Sequence, residues 1–154
     1  MTSTIAPVAR AEMLIRKPVA EVFNAFVDPA VTSRFWFTRG SGKLVPGQTV
    51  TWWWDMYGVS ATVAVKAVEP NRRIAIEWPA PVEWTFTPKT AGTFVVITAS
   101  GFTGSDDEKA KQAIDSMGGF CFTLAACKVF LEHGIEPNFV LDHNPDAHVK
   151  GARP

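Results

Sequence analysis

The stretch "QTVTWWWDMYGVSATVAVKAVEP", residues 48–70, alternates apolar and polar side chains on both sides of a turn at Tyr57-Gly58. A period of two is that of a β-strand with one buried face. Val50, Trp52, Trp54 and Met56 then share a face with Ala61, Val63, Val65 and Ala67, and the two runs form an antiparallel hairpin. Trp53 falls on the opposite face, so both faces of one strand carry tryptophan. Two covers account for the outward ring. Either the apolar run Phe139-Val140-Leu141 folds over it, or it meets its symmetry mate in a homodimer, where tryptophan is a common anchor.

The same period continues to Phe102, punctuated by turn signals at Pro46-Gly47, Pro70-Asn71, Pro79 to Pro81 and Pro88 to Gly92. The inner face gains Ile74, Ile76 and Trp78, then Val82, Trp84 and Phe86, then Val95, Ile97 and Ala99. Asp55, Glu77 and Glu83 point outward, as do Phe94 and Val96. The result is an antiparallel meander. Upstream, "RAEMLIR" (10–16) alternates as a first strand, and "KPVAEVFNAFVDP" (17–29) sets Val19, Val22, Phe23 and Phe26 on one helical face. Asp28-Pro29 ends that helix and opens a second short one. Downstream, residues 105–134 read as one long helix with a Ser105/Glu108 capping box and a stop at Gly134. At 1.5 Å per residue, Asp106 to His133 spans about 42 Å. Its main apolar stripe is expected at Ile114, Met117, Cys121, Leu124, Ala125 and Leu131, laid against the greasy face of the sheet.

The chain has 154 residues, 47% of them hydrophobic, and zero formal charge, which fits one domain over 1–154, with flexible tails expected at 1–9 and 146–154. No basic cluster exceeds Asn71-Arg72-Arg73, which excludes a nucleic-acid footprint. The N-terminus has no basic segment followed by an apolar run, and no segment reads as a membrane span, so a cytoplasmic location is expected. Cys121 and Cys127 are six positions apart on one helix, about 9 Å along its axis, and are expected as reduced, buried thiols. His133, His143 and His148 lack a compact ligand spacing, and neither metal nor cofactor is expected.

Several motifs carry a family resemblance. "IRKPVAEVFNAFVDP", the pair Phe35-Trp36, "VKAVEPNRRIAIEW", "GTFVVITASGF" and "GGFCFTLAACKVFLEHG" together resemble the SRPBCC superfamily of START-like helix-grip proteins. The last two are similar to the branch named for activators of heat-shock-protein-90 ATPase. The resemblance covers about residues 10–135 and implies an α+β fold. A curved antiparallel sheet of about seven strands would wrap round a long C-terminal helix, with a cavity between them. The superfamily includes lipid carriers, plant hormone receptors, aromatic cyclases and oxygenase domains, so function must come from the pocket itself.

The residues expected to line that pocket are Trp36, Trp52, Trp54, Met56, Val63, Val65, Trp78, Trp84 and Phe86, facing Met117, Gly118, Phe120, Cys121 and Leu124 of the helix. Glycine inside a helix costs about 1 kcal/mol relative to alanine, so Gly118 and Gly119 call for a close approach by a ligand or a tryptophan ring. No carboxylate or histidine sits at an inward position, and no catalytic residue is assigned; only Tyr57 or the tail could bring a polar group inside. The expected function is binding or carrying a small hydrophobic or aromatic molecule. A cyclase- or hydrolase-like enzyme using the same cavity and a co-chaperone-type protein-binding module are the alternatives.

Overall fold

A computed structural model describes residues 6–150. Seven strands, β1 (Ala9–Ile15), β2 (Arg39–Gly40), β3 (Thr49–Trp54), β4 (Val59–Glu69), β5 (Arg73–Trp78), β6 (Ala80–Lys89) and β7 (Gly92–Ala99), form one antiparallel sheet. Its order is β1-β7-β6-β5-β4-β3-β2, so the last strand of the meander returns beside the first. Helices α1 (Val19–Val27) and α2 (Pro29–Thr32) follow β1, and α3 (Asp106–His133) follows β7. A short α4 (Phe139–Asp142) completes the helices, with 3-10 turns at Asp55–Tyr57 and Pro145–Ala147.

The alternation read from the sequence sets the inner face. Val50, Trp52 and Trp54, Ile74 and Ile76, Val82, Trp84 and Phe86, and Val95, Ile97 and Ala99 are all buried. One parity needs correction. β4 pairs Val65 with Ile76 but Val68 with Ile74, because the register shifts between Val65 and Ala67. The extra residue at this bulge exchanges faces, so Val68 and not Ala67 continues the inner surface.

The long helix begins with both bonds of the capping box and ends at Gly134 in the left-handed conformation, as expected. Its packing face is different. Ala113, Phe120, Leu124 and Cys127 are buried, whereas Ile114 is 65% and Met117 44% exposed, and Cys121 is also exposed. The burial stripe is rotated by about a quarter turn from the expected one, at 100° per residue. The cause is that α3 beyond Gln112 carries apolar side chains on more than one side, Ile114, Met117 and Phe122 as well as Ala113, Phe120 and Leu124, so periodicity cannot choose a face. Cys127 is a buried thiol, raised by burial well above its ordinary range, while Cys121 is not the buried cysteine it was expected to be.

The expected tails also differ. Residues 1–5 and 151–154 lie outside the described residues, but Ala9 is buried in β1, and Val149 donates its N–H to the Met56 carbonyl at 2.9 Å. At the other end of the sheet, Gly92 opens β7 so close to β1 that a Cβ would stand 2.2 Å from the Ile15 carbonyl oxygen. No side chain fits there.

β1 is an edge strand, and unpaired edge groups invite association or go unsatisfied. Here α3 meets two of the groups at its C-terminal end, the Leu14 carbonyl and the Arg16 N–H just past the strand. Lys128 Nζ donates to the Leu14 carbonyl at 2.9 Å and to Glu132 Oε2 at 2.6 Å, while the Arg16 N–H donates to the same Glu132 oxygen at 2.7 Å. Burial works against the Glu132 charge, its side chain being 11% exposed, but the bonds from Arg16 and Lys128 and the Lys128 charge outweigh it and hold the carboxyl below its ordinary range. A depressed folded value means this stabilisation is complete above the ordinary carboxylate range and is lost as pH falls through the folded value. Glu132→Gln should therefore cost about 1–3 kcal/mol near neutral pH. Urea unfolding from about pH 6 to pH 3 should show a steeper loss for the native protein than for the variant.

Candidate functional site

The space between the sheet and the middle of α3 is filled with rings. Trp36, carried just past α2, has its ring centroid 5.0 Å from Trp52, 5.9 Å from Trp54 and Trp78, 6.1 Å from Trp84 and 6.2 Å from Phe120. Trp52, Val63, Val65, Trp84, Phe86 and Leu124 are each no more than 3% exposed and belong to this packing. They are core residues, not pocket walls.

A cleft of about 430 Å³ opens beside the cluster instead. Four expected residues, Trp36, Trp54, Trp78 and Phe120, line it. Trp54 and Trp78 stack with centroids 5.4 Å apart and planes within 5°. α3 contributes Gly119, Ser116 and Thr123, with Asp115 and Phe122 further round the same flank, and the hairpin contributes Tyr57 and Val59. Val140 and His143 from the C-terminal segment complete the lining, the His143 ring stacking on Phe122 at 5.2 Å.

Four further expected residues do not reach the cleft. Met117 and Cys121 lie on the opposite flank of α3, displaced by the rotation described above, and Gly118 is on the side away from the opening. Met56 ends β3 in a 3-10 turn and lines a second hollow, of about 530 Å³, across the C-terminal segment. Trp36 and Val140 border both spaces. The segment between them is tied down by the Tyr57 hydroxyl, which donates to the Val140 carbonyl, and by His148 Nε2, which donates to the Leu141 carbonyl at 2.7 Å. Burial, chiefly, raises the Tyr57 phenol above its ordinary range, which keeps it protonated as a donor. Gly119 and Tyr57, singled out in the sequence as a helical glycine and a polar hairpin tip, line the cleft, and the tail brings His143 to it. Asp115 and Ser116 had no signal, because their position depends on the helix rotation.

The Tyr57 hydroxyl is used by Val140, and Asp115, 68% exposed, pairs with Lys111 at 3.7 Å. Among the described residues no hydrogen bond joins Asp115, Ser116 or His143 into an acid–base pair, and no three metal-ligating side chains converge. Trp53, the outward ring, is half-buried under Arg39, whose guanidinium carbon lies 4.1 Å from the indole centroid and which also bonds Asp55 at 3.2 Å. Its cover is β2, not the tail.

A seven-stranded antiparallel sheet curled round a long C-terminal helix is the helix-grip arrangement. Residues 16–120 match the family described as Activator of Hsp90 ATPase homolog 1-like protein, and the chain belongs to that family within the SRPBCC superfamily. No curated protein matches the sequence. Among solved structures, the protein SSP2350 from Staphylococcus saprophyticus is 31% identical with a TM-score of 0.77, over 84% of this chain and 95% of that one. The Aha1 dimer from Colwellia psychrerythraea is 17% identical with a TM-score of 0.73, over 83% and 98%. DynU16, from the dynemicin biosynthetic locus, is 21% identical with a TM-score of 0.74, over 84% of this chain and 48% of that one. The last two show a shared fold.

Gly119 gives the cleft a separable test. A Cβ built there meets nothing within 4 Å, so Gly119→Leu should fold at least as stably as the native chain, gaining up to about 1 kcal/mol of helix propensity. The new side chain occupies the opening. Thermal unfolding should show an unchanged or higher midpoint, and enhancement of the fluorescence of the neutral probe N-phenyl-1-naphthylamine should fall.

Proposed function

We propose that this protein binds a small hydrophobic or aromatic molecule in the cleft between the sheet, α3 and the C-terminal segment. The supporting observation is the cleft itself, about 430 Å³ and walled by Trp36, Trp54, Trp78 and Phe120. That volume lies within the range of small-molecule sites, and flat indole faces bury much apolar area on a planar guest. Binding fits the lining better than catalysis does, since no general acid is poised beside a base. The fold is compatible with a ligand-binding role, and the reading places the protein in the cytoplasm, in keeping with two unpaired cysteines. Solvent extracts of natively purified protein, analysed by mass spectrometry, should contain an apolar compound in stoichiometric yield. That compound should be absent from Gly119→Leu prepared identically.

A second reading, a homodimer, is favoured by the exposed apolar flank of α3, where Ile114 is 65% and Met117 44% exposed. Arg39 covers Trp53, so the contact expected at Trp53 moves to this flank. A protein of the same fold was solved as a dimer. Size exclusion coupled to light scattering should give a dimer for the native chain and a monomer for Met117→Lys; a native monomer at every concentration would reject the pairing.

A further inference from the structure

We propose that the guest of the aromatic cleft is a planar organic cation, an aromatic ring system carrying an amino-derived positive charge. The proposal rests on the binding role given above and names the chemical class that the site selects.

The argument begins with charge. Among the described residues no lysine or arginine lines the cleft, and the one carboxylate there is Asp115. The His143 ring lies flat against Phe122. The remaining walls include the rings of Trp36, Trp54, Trp78, Phe120 and Phe122. An aromatic face carries negative quadrupolar charge, so parallel indoles such as Trp54 and Trp78 attract a cation as well as an apolar plane. Asp115, 68% exposed, is accessible to a guest's charged end while the ring is sheltered against the indoles. An anionic guest would meet the same carboxylate and π faces with the wrong sign.

The chain supplies its own precedent one residue away. On the outer face of β3, Trp53 already holds a planar cation: the Arg39 guanidinium lies 4.1 Å from its centroid and is fixed by the Asp55 carboxylate. Indole and carboxylate together are the recognition unit. On the inner side, Trp54 and Asp115 line the same cleft, and among the described residues no arginine lines it. Lys111 is the cation nearest to Asp115, at 3.7 Å, but it is 81% exposed and lines no part of the cleft. Such a surface pair is weak and easily displaced.

A matched series of acridines separates the possibilities. The full-length protein is titrated at about pH 8, above the ordinary histidine range, with cationic 9-aminoacridine, neutral acridine and anionic acridine-9-carboxylate, following quenching of tryptophan fluorescence. The cation should bind about five- to tenfold tighter than acridine, and the carboxylate weaker than either. Asp115→Asn should bring the cation-to-neutral ratio close to one, Lys111→Ala should raise it, and added salt should narrow it. Circular dichroism on each variant checks that α3 is intact. Equal affinity for cation and neutral ring, or an unchanged ratio in Asp115→Asn, overturns the cation proposal while leaving the cleft as an aromatic site. If none of the three binds the native protein more tightly than Gly119→Leu, the binding role itself falls with it.

Discussion

Trp36 is the ring on which the rest of the interior is arranged. It stands at the end of α2, reaches between the sheet and α3, and meets the indoles of β3, β5 and β6 together with Phe120. Removing a buried aromatic of this kind typically costs about 3–5 kcal/mol, so the cluster is a large share of what a domain of this size has in hand. Its volume also has a geometric effect. A curled sheet gripping a helix leaves space between the two, and here indoles occupy the middle of it. What remains open is one side, where α3 presents Gly119 in place of a side chain and the C-terminal segment forms the far wall. The cleft is where it is because the centre is full.

The strand parity was legible because the sheet has one buried face and a period of two admits only two choices. A single inserted residue defeats that rule locally: nothing in "VAVKAVEP" announces that Lys66 is a bulge, and the choice between Ala67 and Val68 is made by pairing with Ile74. The helix face was not legible for a different reason. Ile114, Met117 and Cys121 form as good a stripe as Ala113, Phe120, Leu124 and Cys127, and the decision falls to which side fits the sheet. The aromatic half of the cleft followed from parity, so Trp54 and Trp78 were found. Its polar half lies on residues whose placement is wholly tertiary.

The tryptophan run shows how one strand serves two surfaces. Trp52 closes the core, Trp54 faces the cleft, and Trp53 turns outward to receive Arg39 from the neighbouring edge strand. β2 is only two residues long, Arg39–Gly40. A strand that short has little ladder of its own, and the stacked guanidinium with its bond to Asp55 adds a side-chain attachment where backbone pairing is least. Exposed ion pairs contribute little alone, but a planar cation pinned between an indole and a carboxylate loses less freedom per contact.

The two edges of the sheet are thus closed by different means, and both bear on α3. At β2 the closure is local and leaves the helix free. At β1 it is made by α3 itself, through Lys128 and Glu132 in its last two turns, which fixes the rotation of the helix about its own axis. Once Lys128 reaches Leu14 and Glu132 reaches Arg16, Phe120 and Leu124 must face the sheet, Gly119 and Ser116 must face the cleft, and Ile114 and Met117 are left on the remaining flank. A helix apolar on more than one side is otherwise free to choose its face. Burial of Phe120, Leu124 and Cys127 settles the choice, and the Glu132–Lys128 staple at the C-terminal end holds the same rotation.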